Sequence, residues 1–354
     1  MNTTPNYAEI KAIAQVSELK SKRFQIQQPK CYEDNLDDIY YFLMEGCPMS
    51  RISIGICAYN EERNIGRLLE ALAKECGQHK FEIVEIVVVA SGCTDRTTKI
   101  VESAKQMDQR IRLIVERERE GKSSAVNILI KECAGEILVM MGADVIPKQS
   151  SIENLLRPFE NKNVGSTTGH PIPVNSPNLP MGCMVNLIWR VFHEIATFES
   201  HKGTFFHLSG ELCASRRKAL AIIPTKVIND DTYLGWKAKT KDWKVIYVPN
   251  AIVLMKAPTC LTDFYRQRKR IVQGHLQIHR LGRAHISTIS PFVLPRFVLR
   301  CVPLSLQGVL SGALAALIEI LAHMTARVDL IKGNIPYAWR PVESAKSLGS
   351  IPID

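Results

Sequence analysis

Asp144 is a single acid that directly follows a short, continuously apolar stretch, residues 137–141. Such a stretch is typical of a strand covered on both faces of a parallel sheet. Ligands of open α/β sheets bind beyond the carboxyl ends of the strands, which is where Asp144 would lie. A carboxylate there is a suitable oxygen ligand for Mg²⁺ or Mn²⁺. The alternative is that Asp144 only stabilises a turn, because Asp is a common turn residue.

Other polar residues follow the first two predicted strands: Tyr59, Asn60, Glu61, Ser91 and Asp95. Lys122 begins a predicted helix. Because the carboxyl ends of parallel strands meet at one edge of a sheet, we expect all these side chains near Asp144, at a nucleotide site. Asn60 and Thr94 have an alternative role as helix caps.

The elements that would position these residues alternate between strand and helix. Apolar runs predict strands over residues 52–58, 81–89, 111–116 and 137–141. Helical spacing predicts helices over residues 97–107 and 122–133, and one after Asn60, its expected N-cap. The alternation indicates βαβ units and a parallel sheet. Beyond Pro147 the pattern predicts helices over residues 151–159, 184–198, 233–239 and 261–281 and strands over residues 165–174 and 244–248.

Two phosphate-binding glycine motifs are missing from the sequence. There is no G-x-G-x-x-G after the first strand and no G-x-x-x-x-G-K-[ST] anywhere. A nucleotide would therefore be held by side chains and metal rather than by a glycine cradle. The ten cysteines include no C-x-x-C pair, which argues against a zinc site of ordinary spacing and fits a reducing cytosol. The polar N-terminus has no signal-peptide pattern.

The chain of 354 residues carries a formal net charge of +10, with 46% hydrophobic and 23% charged residues. This is an ordinary globular balance, and the positive charge favours anionic partners. Nucleic acid is not an expected partner, because the sequence has no arginine-rich arm, zinc finger or aromatic RNA motif. The alternative is that the positive charge only keeps the protein soluble.

A stretch near the C-terminus predicts membrane association. Residues 301–318 include no charged side chain, and residues 302–321 approach the length of about 20 residues that a membrane span needs. Gly308 and Gly312 have the small-xxx-small spacing of closely packed membrane helices. An interfacial or buried helix is the alternative, because polar residues dilute the stretch: Gln307, Glu319 and His323.

Six short motifs occur in an order that resembles family 2 glycosyltransferases. They are Ala58-Tyr59-Asn60-Glu61-Glu62, Ser91-Gly92-Cys93-Thr94-Asp95-Arg96-Thr97, Gly121-Lys122, Ala143-Asp144, Asp230-Asp231 and Gln267-Arg268-Lys269-Arg270. The resemblance covers roughly residues 51–281. It implies a GT-A fold with a mostly parallel central sheet and flanking helices. It also implies a nucleotide-sugar donor, a divalent metal, Mg²⁺ or Mn²⁺, and inversion of the anomeric centre.

The resemblance also implies a donor site. Its expected residues are Ala58, Tyr59, Asn60, Glu61, Ser91, Asp95, Lys122 and Ala143. Within this set Glu61 would lie near the ribose. Ser91 stands where the family often has an Asp that faces the base.

The reaction chemistry falls to a second set of residues. Asp144 matches the last acid of the family's Asp-x-Asp motif, which makes it the expected metal ligand. Asp231 matches the general base; the alternative is an N-cap, because it precedes a predicted helix. The expected contacts to diphosphate and acceptor are Asp230, Gln267, Arg268 and Arg270. For the basic cluster 266–270 the alternative is a solvated or membrane-facing helix surface.

The sequence departs from the family pattern at three places. Gly142 replaces the first acid of Asp-x-Asp, and Ala90-Ser91 replaces the usual acidic pair. Ile271 replaces the Trp of Gln-x-x-Arg-Trp, which argues against a processive, channel-forming synthase. The lost acids leave open a non-catalytic member that binds a nucleotide sugar or a partner.

We therefore expect three regions: a helical leader (1–50), a catalytic domain (51–285, divided at residue 150 into a nucleotide half and an acceptor half) and a hydrophobic, membrane-associated region (286–354). The predicted activity is inverting hexosyl transfer from a nucleotide sugar, a UDP-sugar by preference, to a lipid-linked or polysaccharide acceptor. The predicted location is the cytoplasmic face of a membrane.

Overall fold

The protein is described here by a computed structural model. It describes residues 50–74, 81–282, 284, 286–289, 294–333, 342–346 and 348. These residues belong to the second of two units of the chain, Met49–Asp354. The predicted leader, apart from Ser50, lies outside the described residues.

Eight strands form one sheet. They are β1 (Ser50–Ala58), β2 (Phe81–Ser91), β3 (Ile111–Glu116), β4 (Ile137–Gly142), β5 (Val145–Pro147), β6 (Val164–Pro173), β7 (Leu212–Arg216) and β8 (Lys244–Met255). Their order across the sheet is β3-β2-β1-β4-β7-β6-β8-β5.

Helices cover and extend this sheet. The described α-helices are α1 (Ile65–Lys74), α2 (Thr97–Met107), α3 (Lys122–Glu132), α4 (Ser151–Leu156), α5 (Pro180–His201), α6 (Asp230–Thr240), α7 (Leu261–Gly282), α8 (Leu294–Cys301) and α9 (Leu306–Lys332). Short 3-10 turns occupy Arg157–Glu160, Ser287–Ile289 and Glu343–Ala345.

The first half of the sheet has the predicted parallel βαβ arrangement. β1 pairs in parallel with β2 and with β4, and β2 pairs in parallel with β3. Strand residues alternate between two hydrophobic clusters, so that Val139 faces one cluster and its neighbour Leu138 faces the other. Burial on both faces explains the continuously apolar runs, and it leaves the strand ends as the place for polar side chains.

The second half of the sheet is mixed. β7 runs antiparallel to both β4 and β6, β5 runs antiparallel to β8, and only β6 and β8 pair in parallel there. The antiparallel β7 is the neighbour of β4, so the loop before β7 meets the loop after β4. This reversal brings residues from the two halves of the chain to the same edge.

One local prediction is wrong. Asn60 does not cap α1, because the helix begins at Ile65 and the Ile65 N–H donates to the Glu61 carbonyl at 2.9 Å. Asn60 instead adopts a left-handed conformation with φ of 52°.

The C-terminal apolar stretch forms α9, which begins at Leu306. The Ser305 hydroxyl accepts a hydrogen bond from the Gly308 N–H and caps this helix.

Candidate active site

A cavity of about 860 Å³ lies beyond the carboxyl ends of β1, β2 and β4. Twelve of the fourteen predicted site residues line it: Ala58, Tyr59, Glu61, Ser91, Lys122, Ala143, Asp144, Asp230, Asp231, Gln267, Arg268 and Arg270. These residues come from segments that are far apart in the chain. The residues that follow strands lie at the edge that the parallel arrangement predicts. The other residues come from helices beside that edge, with Asp230 and Asp231 in α6 and three residues in α7.

Asn60 and Asp95 are the two predicted site residues that do not line the cavity. The Asn60 side chain accepts a hydrogen bond from the Thr94 N–H at 2.8 Å. The Asp95 carboxylate accepts hydrogen bonds from the N–H groups of Glu62 and Thr97. Both side chains tie the loop after β1 to the loop after β2, so in the structure they position the neighbours that do line the cavity.

Lys122 lies at the start of α3, beside the paired acids. Its Nζ is 3.6 Å from Asp230 Oδ2. Burial acts to lower the pKa of Lys122, but the charges of Asp230 and Asp231 outweigh it and raise the pKa. Burial raises the pKa of Asp230, while the ammonium of Lys122 opposes that rise. Lys122 and Asp230 therefore form a pair in which each charge stabilises the other.

Asp231 lies in the first turn of α6 and does not act as its N-cap, which is Asn229. Its Oδ1 accepts a hydrogen bond from the Thr232 N–H at 2.6 Å. Its Oδ2 lies 3.0 Å from the position that a Cβ on Gly210 would take, and Lys122 Nζ lies 2.5 Å from the same position. Glycine at 210 therefore leaves the room in which this carboxylate and this ammonium meet.

The buried Glu61 contacts Lys346, a residue that the sequence pattern did not indicate. Lys346 Nζ lies 2.9 Å from Glu61 Oε1 and donates to the Tyr59 carbonyl at 2.7 Å. The Arg119 guanidinium stacks 4.0 Å from the centroid of the Tyr59 ring. Burial raises the pKa of Glu61, and the nearby Asp144 carboxylate adds to the rise.

Ser91, at the end of β2, has a buried hydroxyl that faces the cavity lining without a partner. Its side chain is 5% exposed, and its Oγ makes no hydrogen bond with any described residue. A buried unpaired hydroxyl is unfavourable unless a ligand or water completes it. Ser91 is therefore free to form a hydrogen bond with a ligand.

Asp144 is close to Glu211, a second acid that sequence reasoning missed. The Gly142 N–H donates to the Glu211 carbonyl at 3.3 Å across the β4–β7 edge. The pKa of Glu211 is raised because its carboxylate is buried. A hydrogen bond from the Ser209 hydroxyl to this carboxylate opposes the rise without cancelling it. A Cβ on Gly142 would lie 2.7 Å from Asp144 Oδ1, so Asp144 occupies the space that the missing first acid would need.

The acids fit a metal ion only in part. Among the residues that the structure describes, no three His, Cys, Asp or Glu side chains are grouped closely enough to hold an ion. Asp144 supplies a hard oxygen after the end of β4, and Glu211 directly precedes the adjoining strand β7. This donor set suits a divalent ion whose remaining ligands come from a bound diphosphate and water.

Arg268 in α7 lines the cavity, but its guanidinium is already paired. Its Nε and Nη2 donate to the two carboxylate oxygens of Glu319 in α9, at 2.8 and 2.9 Å. The two side chains are only 13% and 10% exposed. Arg270 also lines the cavity and forms no ion pair with a described residue. Of the two arginines among the predicted diphosphate contacts, Arg270 is therefore the one whose charge is not paired with a described carboxylate.

The cavity continues beyond these polar residues into an apolar part between α5, α8 and α9. Ile188 and Phe192 of α5, Val298 of α8 and Ile320 of α9 line this part. α9 is long and apolar enough to cross a membrane by length and composition, and 33% of its most apolar window is buried against the protein. The cavity therefore has a polar end and an apolar end.

Comparisons with known proteins agree with this architecture. The model of the family described as Glycosyl transferase family 2 matches residues 53–223. A poly-beta-1,6-N-acetyl-D-glucosamine synthase of Staphylococcus epidermidis is 24% identical over 279 residues, which cover 74% of this chain and 66% of the relative. The synthase of the same description from Staphylococcus aureus (strain COL) is 24% identical over 253 residues, which cover 70% of this chain and 60% of the relative. The chain thus spans less than two thirds of these relatives.

A solved structure shares the fold. A mannosyltransferase from Pyrobaculum calidifontis, in complex with GDP-Man and Mn²⁺, aligns with a TM-score of 0.56 at 20% identity. The alignment covers 93% of this chain and 89% of that chain. The family match over residues 53–223, the fold and the ordered motifs agree: this chain contains a glycosyl transferase family 2 domain and has the GT-A fold.

Proposed function

We propose that this glycosyltransferase moves one hexose from a nucleotide-diphosphate sugar to a lipid-linked or polysaccharide acceptor, with inversion of the anomeric centre. One observation carries the proposal: Asp144, Lys122 and Asp231, from three separate segments, line a single cavity beside Gly210. A direct displacement needs a carboxylate that can hold a metal ion, a cation for the leaving group and a general base, and the three residues supply these groups within one cavity.

In the proposed reaction, the acceptor oxygen attacks the anomeric carbon while the bond from that carbon to the diphosphate breaks. Asp231 takes the proton of the acceptor hydroxyl, because its Oδ2 faces the open space beside Gly210. Its Oδ1 stays fixed by the Thr232 N–H, which orients the carboxylate. General-base catalysis of this kind contributes about 10²- to 10⁴-fold to a rate.

The leaving diphosphate carries negative charge that must be balanced. Lys122 and Arg270 are the proposed cationic contacts, since both line the cavity. Arg268 would act indirectly, because its pairing with Glu319 holds α7, and with it Arg270, in place. A divalent ion such as Mg²⁺ or Mn²⁺, when bound, supplies Lewis-acid neutralisation of the diphosphate. Asp144 would hold it, with Glu211 beside it in place of the acid missing at Gly142.

The donor site is proposed at the β1 and β2 ends. Tyr59 and Glu61 would border the ribose and base, since they line the cavity next to Ala58. The unpaired Ser91 hydroxyl supports a hydrogen bond to the base at that end. A UDP-sugar is the proposed donor, and the GDP-Man bound by the similar mannosyltransferase makes GDP-sugars the first alternative to test.

The region boundaries and the location are part of the same proposal. Residues 51–285 would form the catalytic domain, and residues 286–354 would associate with a membrane through α8 and α9. Exposed apolar side chains on α9 support this, among them Leu310, Leu317 and Ile331. The active-site side would face the cytoplasm, where nucleotide sugars are made available to cytosolic enzymes.

A donor screen tests the proposal. The full chain in detergent is incubated with UDP-, GDP- and dTDP-sugars, each with Mg²⁺ or Mn²⁺, and the released nucleoside diphosphate is measured. One donor should be hydrolysed or transferred, and that activity should fall in Asp231→Asn. The matched control is Asp242→Asn, an exposed acid in the turn before β8. Binding of nucleotide without any turnover would overturn the catalytic proposal.

A further inference from the structure

The apolar end of the cavity points to the chemical class of the acceptor. We propose that the acceptor is a lipid whose hydrocarbon chain lies in the groove between α5, α8 and α9, with its reacting oxygen at Asp231. This proposal rests on the proposed glycosyl transfer and narrows its acceptor from a glycan or a lipid to a lipid.

The groove follows one face of α9 for about four turns. Gly312, Ala316, Ile320, Met324 and Arg327 all line the cavity. Their spacing of three or four residues places them on a single stripe of the helix. Fifteen helical rises of 1.5 Å carry this stripe over about 22 Å. A linear chain can lie along a stripe of that length.

The groove wall is apolar through most of its length. α5 contributes Ile188 and Phe192, α8 contributes Val298, and α9 contributes Ile320 and Met324. A sugar chain carries hydroxyls along its length, and a peptide carries backbone N–H and C=O groups. Each such group would lose its hydrogen bonds to water against this wall, at a cost that a hydrocarbon chain avoids.

The groove is open along the apolar surface of α9. Ile320 and Met324 line the cavity and are nevertheless 59% and 61% exposed. Leu317 and Leu321, which adjoin them on the same helix, are also exposed apolar residues. A lipid can therefore enter from the side, from a membrane on which this surface rests, without passing through water.

The two ends meet at charged residues that are suited to a polar head. Glu319 and His323 of α9 line the cavity next to Arg268. The Glu319 carboxylate pairs with Arg268, and His323 Nε2 lies 3.6 Å from Glu319 Oε1. Arg270 lies two residues after Arg268 in α7 and has no ion-pair partner among the described residues. A phosphate or sugar head at Arg270 would place its oxygen towards Asp231, while the chain extends along α9.

The acceptor oxygen forms a bond to the anomeric carbon, and the bond between that carbon and the nucleoside diphosphate breaks. The nucleoside diphosphate leaves with the electron pair. When the acceptor oxygen is a hydroxyl, its proton goes to Asp231; when it is an ionised phosphate oxygen, no proton moves.

Acceptors that differ only in chain length test the proposal. Two series are used, alkyl glycosides with a hydroxyl head and alkyl monophosphates, each with chains of four and eight carbons and each below its micelle concentration. Burial of one methylene group is worth about a 4-fold gain in binding, so partial burial of four should lower KM by at least about 10-fold. The series that responds identifies the head group.

Two variants of α9 locate the chain. Ala316→Phe places a ring on the groove-lining stripe, and Ala313→Phe places the same ring on an exposed position that does not line the cavity. Ala316→Phe should abolish most of the chain-length gain in KM, while Ala313→Phe should keep it. Both variants should retain the wild-type melting temperature, since both positions are exposed, and Ala313→Phe should also retain donor hydrolysis.

The outcomes separate this inference from the proposed function. Transfer that is equally fast with four and eight carbons, or equally affected by both variants, would overturn the lipid acceptor while leaving glycosyl transfer intact. Transfer only to soluble oligosaccharides would do the same and would favour a glycan acceptor. Absence of turnover and hydrolysis with every donor would instead refute the proposed function. Dimerisation that Ala313→Phe and Ala316→Phe both abolish would assign the α9 surface to a second copy of this chain.

Discussion

The polar end of the cavity and its apolar end are built in different ways. At the polar end, several side chains follow the end of a buried strand or begin a helix, as Asp144 and Lys122 do. At the apolar end, no single element makes the site, because the groove exists only where α5, α8 and α9 meet. Local sequence patterns therefore specify the reacting groups, while long-range helix packing specifies what lies beside them.

The difference shows how the two ends depend on each other. The Arg268–Glu319 pair joins α7, which lies beside the reacting groups, to α9, which forms the groove. Lys269 adds a second contact, 2.6 Å from Asp329 of α9. α9 is thus held along the protein by charges as well as by apolar packing. Changes at the polar end should alter chemistry, and changes at the junction should alter stability.

Asp231→Asn is expected to have the largest effect, and it acts on the polar end alone. Loss of the proposed base should lower kcat by about 10³-fold. The amide keeps the shape of the carboxylate, so the dissociation constant for the donor should change by less than about 3-fold. Steady-state kinetics and calorimetric titration of the donor measure the two quantities, with Asp242→Asn as the control. A variant with unchanged kcat would remove Asp231 from the mechanism.

Glu319→Gln should destabilise the junction between the two ends. It leaves the Arg268 guanidinium buried without its counter-charge, which costs about 3 kcal/mol of unfolding free energy. Glu153→Gln is the matched control, because it breaks the exposed Arg157–Glu153 pair and should cost less than about 0.5 kcal/mol. Urea unfolding followed by circular dichroism compares them. An equal loss of unfolding free energy in the two variants would mean that the buried pair stabilises the fold no more than an exposed pair does.

Asp144→Asn should weaken metal-dependent donor binding by about 10-fold to 100-fold, because a neutral amide replaces the proposed hard ligand. Glu211→Gln should have a smaller effect in the same direction. Nucleoside diphosphate is titrated with and without Mn²⁺, and the ratio of the two affinities is the readout. If Asp144→Asn keeps the wild-type ratio, the metal is not held at the end of β4.

Buried histidines near the junction should make stability depend on pH. Burial and the charge of Arg268 lower the pKa of His207 from 6.5 to about 4, and burial lowers the pKa of the adjacent His275 as well. Between pH 6.5 and pH 4 the unfolded chain binds protons that the folded chain does not, so stability falls as the pH falls. The pKa of Glu319 is lowered from its ordinary value of 4.5, so the loss of its contribution begins only below that pH.

His207→Phe tests this pH dependence. The Phe ring preserves the aromatic contacts with Phe192 and His275 and cannot be protonated. Between pH 7 and pH 5 the variant should lose on the order of 1 kcal/mol less stability than the wild-type protein. Melting temperatures measured across this range give the comparison. Parallel pH profiles would show that folding does not change the pKa of His207.

Sequence patterns predicted much of the sheet and its strand-end residues, because both depend on local periodicity. The helix over Thr97–Met107 and the strand over Ile111–Glu116 have the predicted bounds. Glu211 was missed because its place beside Asp144 depends on the antiparallel pairing of β7 with β4, which leaves no local signal. Lys346 was missed for a similar reason, since 285 residues separate it from Glu61.

The Asn60 prediction failed for a different physical reason. Asn is a favoured N-cap, but the Asn60 side-chain amide oxygen already accepts a hydrogen bond from the Thr94 N–H in the neighbouring loop. Ser305 shows the converse case, because its hydroxyl accepts from the Gly308 N–H and caps α9. Capping residues are therefore predictable only where no neighbouring loop offers them another bond.

The configuration of the first product tests the central claim most directly. The sugar that the wild-type protein releases or transfers from an α-linked nucleotide donor is followed by proton NMR during the first turnovers, before mutarotation. Direct displacement assisted by Asp231 predicts a product with the β configuration. A product that retains the α configuration from the first turnover would contradict the single displacement and the role of Asp231 as its base.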